Sequence, residues 1–188
     1  MKLIYVIGMP GTGKSTLMEA FKEELREATC GSGCVWESER VTDLLDTEKL
    51  GDVRILGKYE GEGTFSGTDR LSMAVAPKAI EWINTKPNET IYGEGDRLNN
   101  KAFFEAAGDD LTIIHLTVPD TVREYRYKLR GSDQSEKFIQ TTKTKVQNII
   151  DQFGPRATLF GEEKGCVYTF EHVTPEDTQK VVEFMLSC

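Results

Sequence analysis

Short apolar runs separated by stretches of helical periodicity set the plan of this chain. Leu3 to Ile7, Val35 to Glu37, Thr90 to Tyr92, Leu111 to Leu116 and Cys166 to Phe170 read as strands, with a further short strand at Val53 to Leu56. Between them, Leu17, Met18, Phe21, Leu25 and Ala28 recur at helical spacing, as do Phe138, Ile139, Thr142, Val146, Ile149, Ile150 and Phe153. The last helix carries the clearest punctuation: Thr174 as cap, Pro175 in the first turn, Asp177 three residues after the cap, and Val181, Val182, Met185 and Leu186 as its apolar stripe. This alternation predicts an α/β fold, a three-layer sandwich with a central parallel sheet of about five strands covered on both faces. With no repeat or linker, residues 1–188 read as one domain.

Composition narrows the setting. The 38% apolar and 29% charged residues are ordinary for a soluble protein, and no run approaches the roughly twenty apolar residues that span a bilayer. The first strand is interrupted by Gly8 too soon for a signal peptide, so no membrane partner and a cytoplasmic location are expected. The net charge of −8 disfavours broad binding to nucleic acid while leaving room for a local basic groove.

Directly after the first strand stands Gly8-Met9-Pro10-Gly11-Thr12-Gly13-Lys14-Ser15, a complete G-x-x-x-x-G-K-S phosphate-binding loop that opens a helix. Gly8, Pro10, Gly11, Thr12, Gly13, Lys14, Ser15 and Thr16 are the candidate contacts to ATP or GTP; Lys14 reaches the β- and γ-phosphates and Ser15 ligates Mg²⁺. The helix N-terminus adds its positive end. Such a loop implies a reducing compartment. Cys30, Cys34, Cys166 and Cys188 lack paired metal spacing, and are therefore expected to be free thiols with no structural metal.

Three further stretches favour phosphoryl transfer over a switch or motor. Glu94 and Asp96 follow the strand Thr90 to Tyr92, where a carboxylate can hold Mg²⁺, and Arg97 lies beside them for a phosphate. Arg123, Arg126 and Arg130 share one helical face, with Val122, Tyr125 and Leu129 as the expected apolar anchors. A turn at Gly131-Ser132-Asp133 then joins two helices, so residues of about 120–150 read as a lid whose arginines offset transition-state charge. The third stretch, about 51–85, reads as covering the acceptor. There Asp69 can take the acceptor proton, Arg70 can pair with a phosphate, and Tyr59 and Phe65 offer faces for a base; Glu37, at the end of the second strand, is the rival base. Lys58, Arg70, Arg97 and the three lid arginines are expected to gather around one cleft. His115 reads as a satisfied core residue and His172 as a loop residue without metal partners.

The order of these features resembles nucleoside and nucleoside-monophosphate kinases, of the adenylate-kinase-like P-loop type. More narrowly, Leu56-Gly57-Lys58-Tyr59, Phe65-Ser66-Gly67-Thr68-Asp69-Arg70-Leu71-Ser72-Met73, Glu94-Gly95-Asp96-Arg97-Leu98 and Arg130-Gly131-Ser132-Asp133-Gln134-Ser135-Glu136 are similar to phage hydroxymethyluracil DNA kinases. The resemblance implies an ATP- and Mg²⁺-dependent phosphotransferase with a nucleotide-type acceptor, the 5-hydroxymethyl group of a modified uracil in DNA. A deoxynucleoside monophosphate kinase and a non-kinase ATP-binding switch are the alternatives.

Overall fold

The computed structural model describes residues 1–59, 66–129, 131, 134–158, 161–163 and 166–188, the side chains at 32, 156–158 and 161–163 excepted. In chain order the elements are β1 (Lys2–Gly8), α1 (Lys14–Cys30), β2 (Glu37–Arg40), β3 (Asp46–Leu50), β4 (Val53–Leu56), α2 (Val75–Ile83), β5 (Thr90–Glu94), α3 (Lys101–Ala107), β6 (Leu111–Thr117), α4 (Asp120–Leu129), α5 (Glu136–Phe153), β7 (Arg156–Thr158), β8 (Gly161–Glu163), β9 (Val167–Glu171) and α6 (Pro175–Ser187). Seven strands form one sheet in the order β2-β3-β4-β5-β1-β6-β9, and β7 pairs with β8 separately.

The sheet is larger than the five strands expected, and its membership differs. β4, β5, β1, β6 and β9 are mutually parallel, while β2 and β3 extend the β4 edge as an antiparallel hairpin. The 35–37 run joins no parallel strand: Val35 is 73% exposed and β2 begins only at Glu37, on the outermost edge. The short run Val53–Leu56 takes its place in the parallel set.

β1 is central because it is apolar on both faces. Leu3, Tyr5 and Ile7 belong to the core that includes Val75, Ala79 and Ile83 of α2, Phe103 and Phe104 of α3, and Val146 and Ile149 of α5. Ile4 and Val6 belong to the opposite core, with Leu17, Met18 and Phe21 of α1 and Val181, Val182 and Met185 of α6. Alternation along one strand thus builds the three layers. α6 starts as its sequence predicts: Thr174 Oγ1 accepts from the Asp177 amide at 3.2 Å, and the Asp177 carboxylate accepts from the Thr174 amide at 2.9 Å. α5 is capped by Ser135, which accepts from the Phe138 amide; Asp133 lies outside the described residues.

Two sequence expectations are corrected away from the sheet's centre. Cys30 and Cys34 form a disulfide rather than standing as free thiols, because the short turn Gly31–Gly33 after α1 brings their Cα atoms to 5.9 Å; Cys166 and Cys188 are unpaired. α4 also presents a different face from the one its apolar residues suggest. Tyr125 and Leu129 are 62% and 69% exposed, whereas Arg123 and Arg126 are half-buried against the body. Among the described residues, no helix is long and apolar enough to cross a membrane.

The antiparallel extension is anchored by Leu45 in the apolar core and, on its polar side, by ions. Arg54 on β4 is 4% exposed and grips Glu89 with two hydrogen bonds, Nε to Oε2 at 2.5 Å and Nη2 to Oε1 at 2.9 Å. Its Nη1 donates to Thr47 Oγ1 at 2.7 Å and to Glu39 at 2.9 Å, and Lys49 adds a second cation 2.8 Å from Glu89. Hydrogen bonds from Arg54, then from Lys49, outweigh burial and lower the Glu89 carboxyl to about 2. A depressed carboxylate contributes stability that is complete above its unfolded value and lost as pH falls towards its folded one. We therefore expect global stability to decline by on the order of 2–3 kcal/mol between about pH 5 and pH 2 on this account. Denaturant titrations of wild type and Glu89→Gln across that range check it: the variant starts less stable and shows a shallower decline. Parallel curves would assign the acid sensitivity to other carboxylates.

Candidate active site

β1 has β5 on one side and β6 on the other, and the chain fills the β5 side before it crosses to β6. The loop leaving β1 therefore sits at the topological switch point, outside the carboxyl ends of the strands, where open parallel sheets take ligands. Here the Gly8–Ser15 loop forms the floor of a cleft of about 400 Å³.

The carbonyls of Gly8 to Thr12 are each engaged by a side chain. Lys14 Nζ donates to Gly8 O at 3.0 Å and Met9 O at 3.1 Å, Tyr127 Oη to Pro10 O at 2.8 Å, and Arg126 Nη1 to Gly11 O at 3.0 Å. His172, 3% exposed, bonds Thr12 O through Nδ1 at 2.7 Å and Thr178 Oγ1 through Nε2 at 2.8 Å. A carbonyl only accepts, so Nδ1 carries the proton that bonds it. Gly13, at φ 89°, is obligatory: a Cβ there would stand 2.6 Å from the His172 ring. The first N–H groups of α1 have no intrahelical acceptor and are what the loop offers to an anion.

The wall beyond Lys14 is acidic. Ser15 Oγ donates to Glu94 Oε1 at 3.2 Å, and Glu94 is 1% exposed. Burial pushes its carboxyl up to about 7, against the pull of Lys14 and with the push of Asp69. A buried carboxylate beside a hydroxyl is a hard-oxygen donor set of the kind Mg²⁺ takes, and a cation would supply the charge that burial disfavours it holding alone. Asp96 is less suited. Its Oδ1 pairs with Lys145 Nζ of α5 at 2.7 Å, which ties that helix to the end of β5. Among the described residues, no group of three His, Cys, Asp or Glu is placed to hold a metal ion.

The wall opposite the loop is attached to the same strands by a buried polar chain. Tyr5 Oη donates to Gly95 O at 2.9 Å and lies 3.1 Å from Thr68 Oγ1, which donates to Glu94 O at 2.7 Å. Asp69 then accepts from the Asp96 amide at 2.6 Å and faces the cleft, as do Arg97 and Asn99. Tyr127, Gln134, Phe138 and Thr142 line it from α4, α5 and the segment between them.

Several expected site residues lie elsewhere. Glu37 starts the exposed edge strand β2, paired with Lys49 in register, and does not line the cleft. The Lys22 ammonium stands 5.0 Å over the Tyr59 ring, the tyrosine hydroxyl is buried, and Tyr59 does not line the cleft. Arg126 serves the loop backbone and also donates to His172 O and Val173 O, while Arg123 pairs with Asp120 at 3.0 Å. Lys58 pairs with Asp46 at 3.0 Å in the outer hairpin. Thr16 is exposed, Thr12 is locked by its own bond to Met9 O, and Arg70 is half-buried beside the cleft without lining it. Of the six cations expected around one cleft, Arg97 alone among the described residues is on the lining. Phe65 and Arg130 lie outside the described residues. His115 is half-buried and bonded to Thr169, as a satisfied strand residue should be. His172, Tyr127, Asn99 and Lys145 were not legible as site residues, because their partners are distant in sequence.

The chain belongs to the family described as P-loop Nucleotide Kinase3, whose model matches residues 1–183. No curated protein matches it in sequence. Solved structures similar to it include a gluconokinase from Sinorhizobium meliloti 1021, at 14% identity and TM-score 0.44 over 99% of this chain and 96% of that one. A sugar kinase from Janibacter sp. HTCC2649 aligns at 14% identity and TM-score 0.46 over 100% and 93% of the two chains. Shikimate kinase from Bacteroides thetaiotaomicron aligns at 10% identity and TM-score 0.46 over 99% and 96%.

The His172 contact yields a test of the loop's support. His172→Leu fills similar space but leaves the Thr12 carbonyl without its donor, a loss of about 1–3 kcal/mol. The melting temperature should fall by roughly 3–10 °C, with a smaller fall for Thr178→Val, which removes only the distal partner. Calorimetry of the three proteins decides. Equal transitions would show that His172 does not brace the loop.

Proposed function

We propose that the chain is an ATP- and Mg²⁺-dependent phosphotransferase acting on a nucleotide-type acceptor, with the 5-hydroxymethyl group of 5-hydroxymethyluracil in DNA as first choice. The observation that carries this reading is one cleft joining a phosphate-binding loop and the Ser15–Glu94 pair to a wall of Asp69, Arg97 and Asn99. Ser15 and Glu94 would hold Mg²⁺, which would supply positive charge against the phosphates of the donor. Lys14 and the N–H groups opening α1 hold the donor. Asp69 orients the acceptor hydroxyl and takes its proton as the oxygen bonds to the γ-phosphorus and the bond to the β-phosphate oxygen breaks, releasing ADP. Tyr127, Phe138 and Thr142 keep water from the transferred group. The narrower acceptor rests on the resemblance of the Phe65–Met73, Glu94–Leu98 and Arg130–Glu136 strings to hydroxymethyluracil DNA kinases. A free deoxynucleoside monophosphate is the second reading, favoured by the net charge of −8.

Transfer of labelled γ-phosphate to hydroxymethyluracil oligonucleotides and to free monophosphates separates the two acceptors, and ADP production that no acceptor stimulates would instead indicate a switch. Because few cations reach the cleft, we expect transfer to DNA to fall only modestly between about 50 and 200 mM salt, and single strands to react at least as well as duplex. Lys14→Ala should cost a hundredfold or more in turnover, about 3 kcal/mol, with the fold unchanged. Near-wild-type turnover would sink the kinase assignment. Asp69→Asn keeps the bond from the Asp96 amide but removes the base, so kcat should drop by about a hundredfold to ten-thousandfold while Glu37→Gln matches wild type. The reverse pattern would move the base to Glu37.

A further inference from the structure

Asn99 is 3% exposed, lines the cleft, and has a buried Oδ1 with no hydrogen-bond partner. A buried carbonyl without a donor is costly, and native structures rarely tolerate one without a use for it. The backbone gives the side chain little freedom to escape. Leu98 is fully buried in the core, Asn100 caps α3 by accepting from the Phe103 amide at 3.0 Å, and the Asn100 amide donates to Leu98 O at 2.8 Å. Its neighbours on the wall are already engaged: Asp69 by the Asp96 amide, Asp96 by Lys145, Glu94 by Ser15, and Arg97 Nε by Leu71 O at 3.4 Å. Asn99 is thus the cleft-lining residue, among those described, that keeps a buried acceptor unfilled.

A carboxamide presents an acceptor and a donor side by side. Its complement is a ligand edge with an N–H next to a carbonyl. We propose that Asn99 reads the base of the phosphoryl acceptor, Oδ1 accepting from the ring N–H of a uracil-type pyrimidine and Nδ2 donating to the adjacent carbonyl. This rests on the reading of the acceptor as a nucleotide. It makes Asn99 a specificity-determining residue, distinct from Asp69, which meets the hydroxyl. A site that hydrogen-bonds its substrate discriminates strongly, because the wrong partner leaves buried groups unpaired.

The test compares wild type, Asn99→Asp and Asn99→Leu, each confirmed as folded by its thermal transition. Oligonucleotides carrying hydroxymethyluracil or hydroxymethylcytosine and free deoxyuridine monophosphate serve as acceptors, and binding of ATP and of deoxyuridine monophosphate is measured separately by calorimetry. Loss of the paired edge should raise the KM for uracil-type acceptors, and weaken deoxyuridine monophosphate binding, about tenfold to hundredfold, with ATP affinity unchanged. Asn99→Asp, which only accepts, should shift preference towards the cytosine-type acceptor, whose amino group donates; a merely structural residue would not produce that swap. If Asn99→Leu does not fold, the near-isosteric Asn99→Asp carries the test alone. Unchanged base preference and acceptor KM in a folded variant overturn the inference and leave the kinase reading intact. Asn99-dependent nucleotide binding by a wild type that transfers no phosphate overturns the kinase reading and leaves the inference standing. Wild type that binds none of these acceptors overturns both.

Discussion

A loop that binds anions through its backbone must turn its N–H groups inward, and its carbonyls then need donors on the outside. The Gly8–Ser15 loop meets that constraint with its own Lys14 and with side chains from two distant parts of the chain, Arg126 and Tyr127 of α4 and His172 after β9. The loop's shape is therefore a tertiary property. Folding of the β6–α4 connection and of the last strand has to be complete before the floor of the cleft is defined, which links the second half of the chain to a motif contained in its first fifteen residues.

The same logic places the opposite wall. Tyr5 lies on β1, the strand that also delivers the loop, and its hydroxyl reaches Thr68 and Gly95. Gly67 permits the close approach: a Cβ there would stand 2.3 Å from Glu94 Oε1. The loop and the wall opposite it are thus hung from neighbouring strands of one sheet, separated by one strand spacing. Orientation of two reactants is worth many kcal/mol only if the parts that hold them do not drift, and strands supply that rigidity better than loops.

What the sequence makes legible follows from where each residue's partner lies. β1, the loop and α1 are read from local spacing, and α6 from a capping box whose members are three residues apart. β3 escapes such reading because Thr47 and Glu48 are buried as polar groups: Thr47 satisfied by Arg54, Glu48 by Lys22 and the Tyr59 amide. No apolar run announces it. α4 is misread for a related reason. Its inward face meets backbone carbonyls rather than an apolar core, so arginines turn in while Tyr125 and Leu129 turn out. Periodicity locates a helix face, but which face is buried depends on the chemistry of the surface it meets.

The assignment of Arg126 to the loop changes where transition-state charge must be met. Under the proposed phosphoryl transfer, Lys14 and the N–H groups at the start of α1 would be the principal donors, with Arg97 on the far wall. In the structure Lys14 Nζ donates to Gly8 O and Met9 O, and on the proposed reading it would exchange these two bonds for one to a phosphate oxygen. That exchange is favourable in itself, since hydrogen bonds between ionised partners are about twice as strong as those to neutral ones. It also leaves the loop largely intact. Met9 O keeps the Thr12 hydroxyl at 2.8 Å and the Thr12 amide at 3.3 Å, and the three carbonyls that follow keep Tyr127, Arg126 and His172. The lysine can move to the phosphate while the cradle beneath it stays fixed, which is the condition under which preorganised donors lower a barrier without reorganising during the reaction.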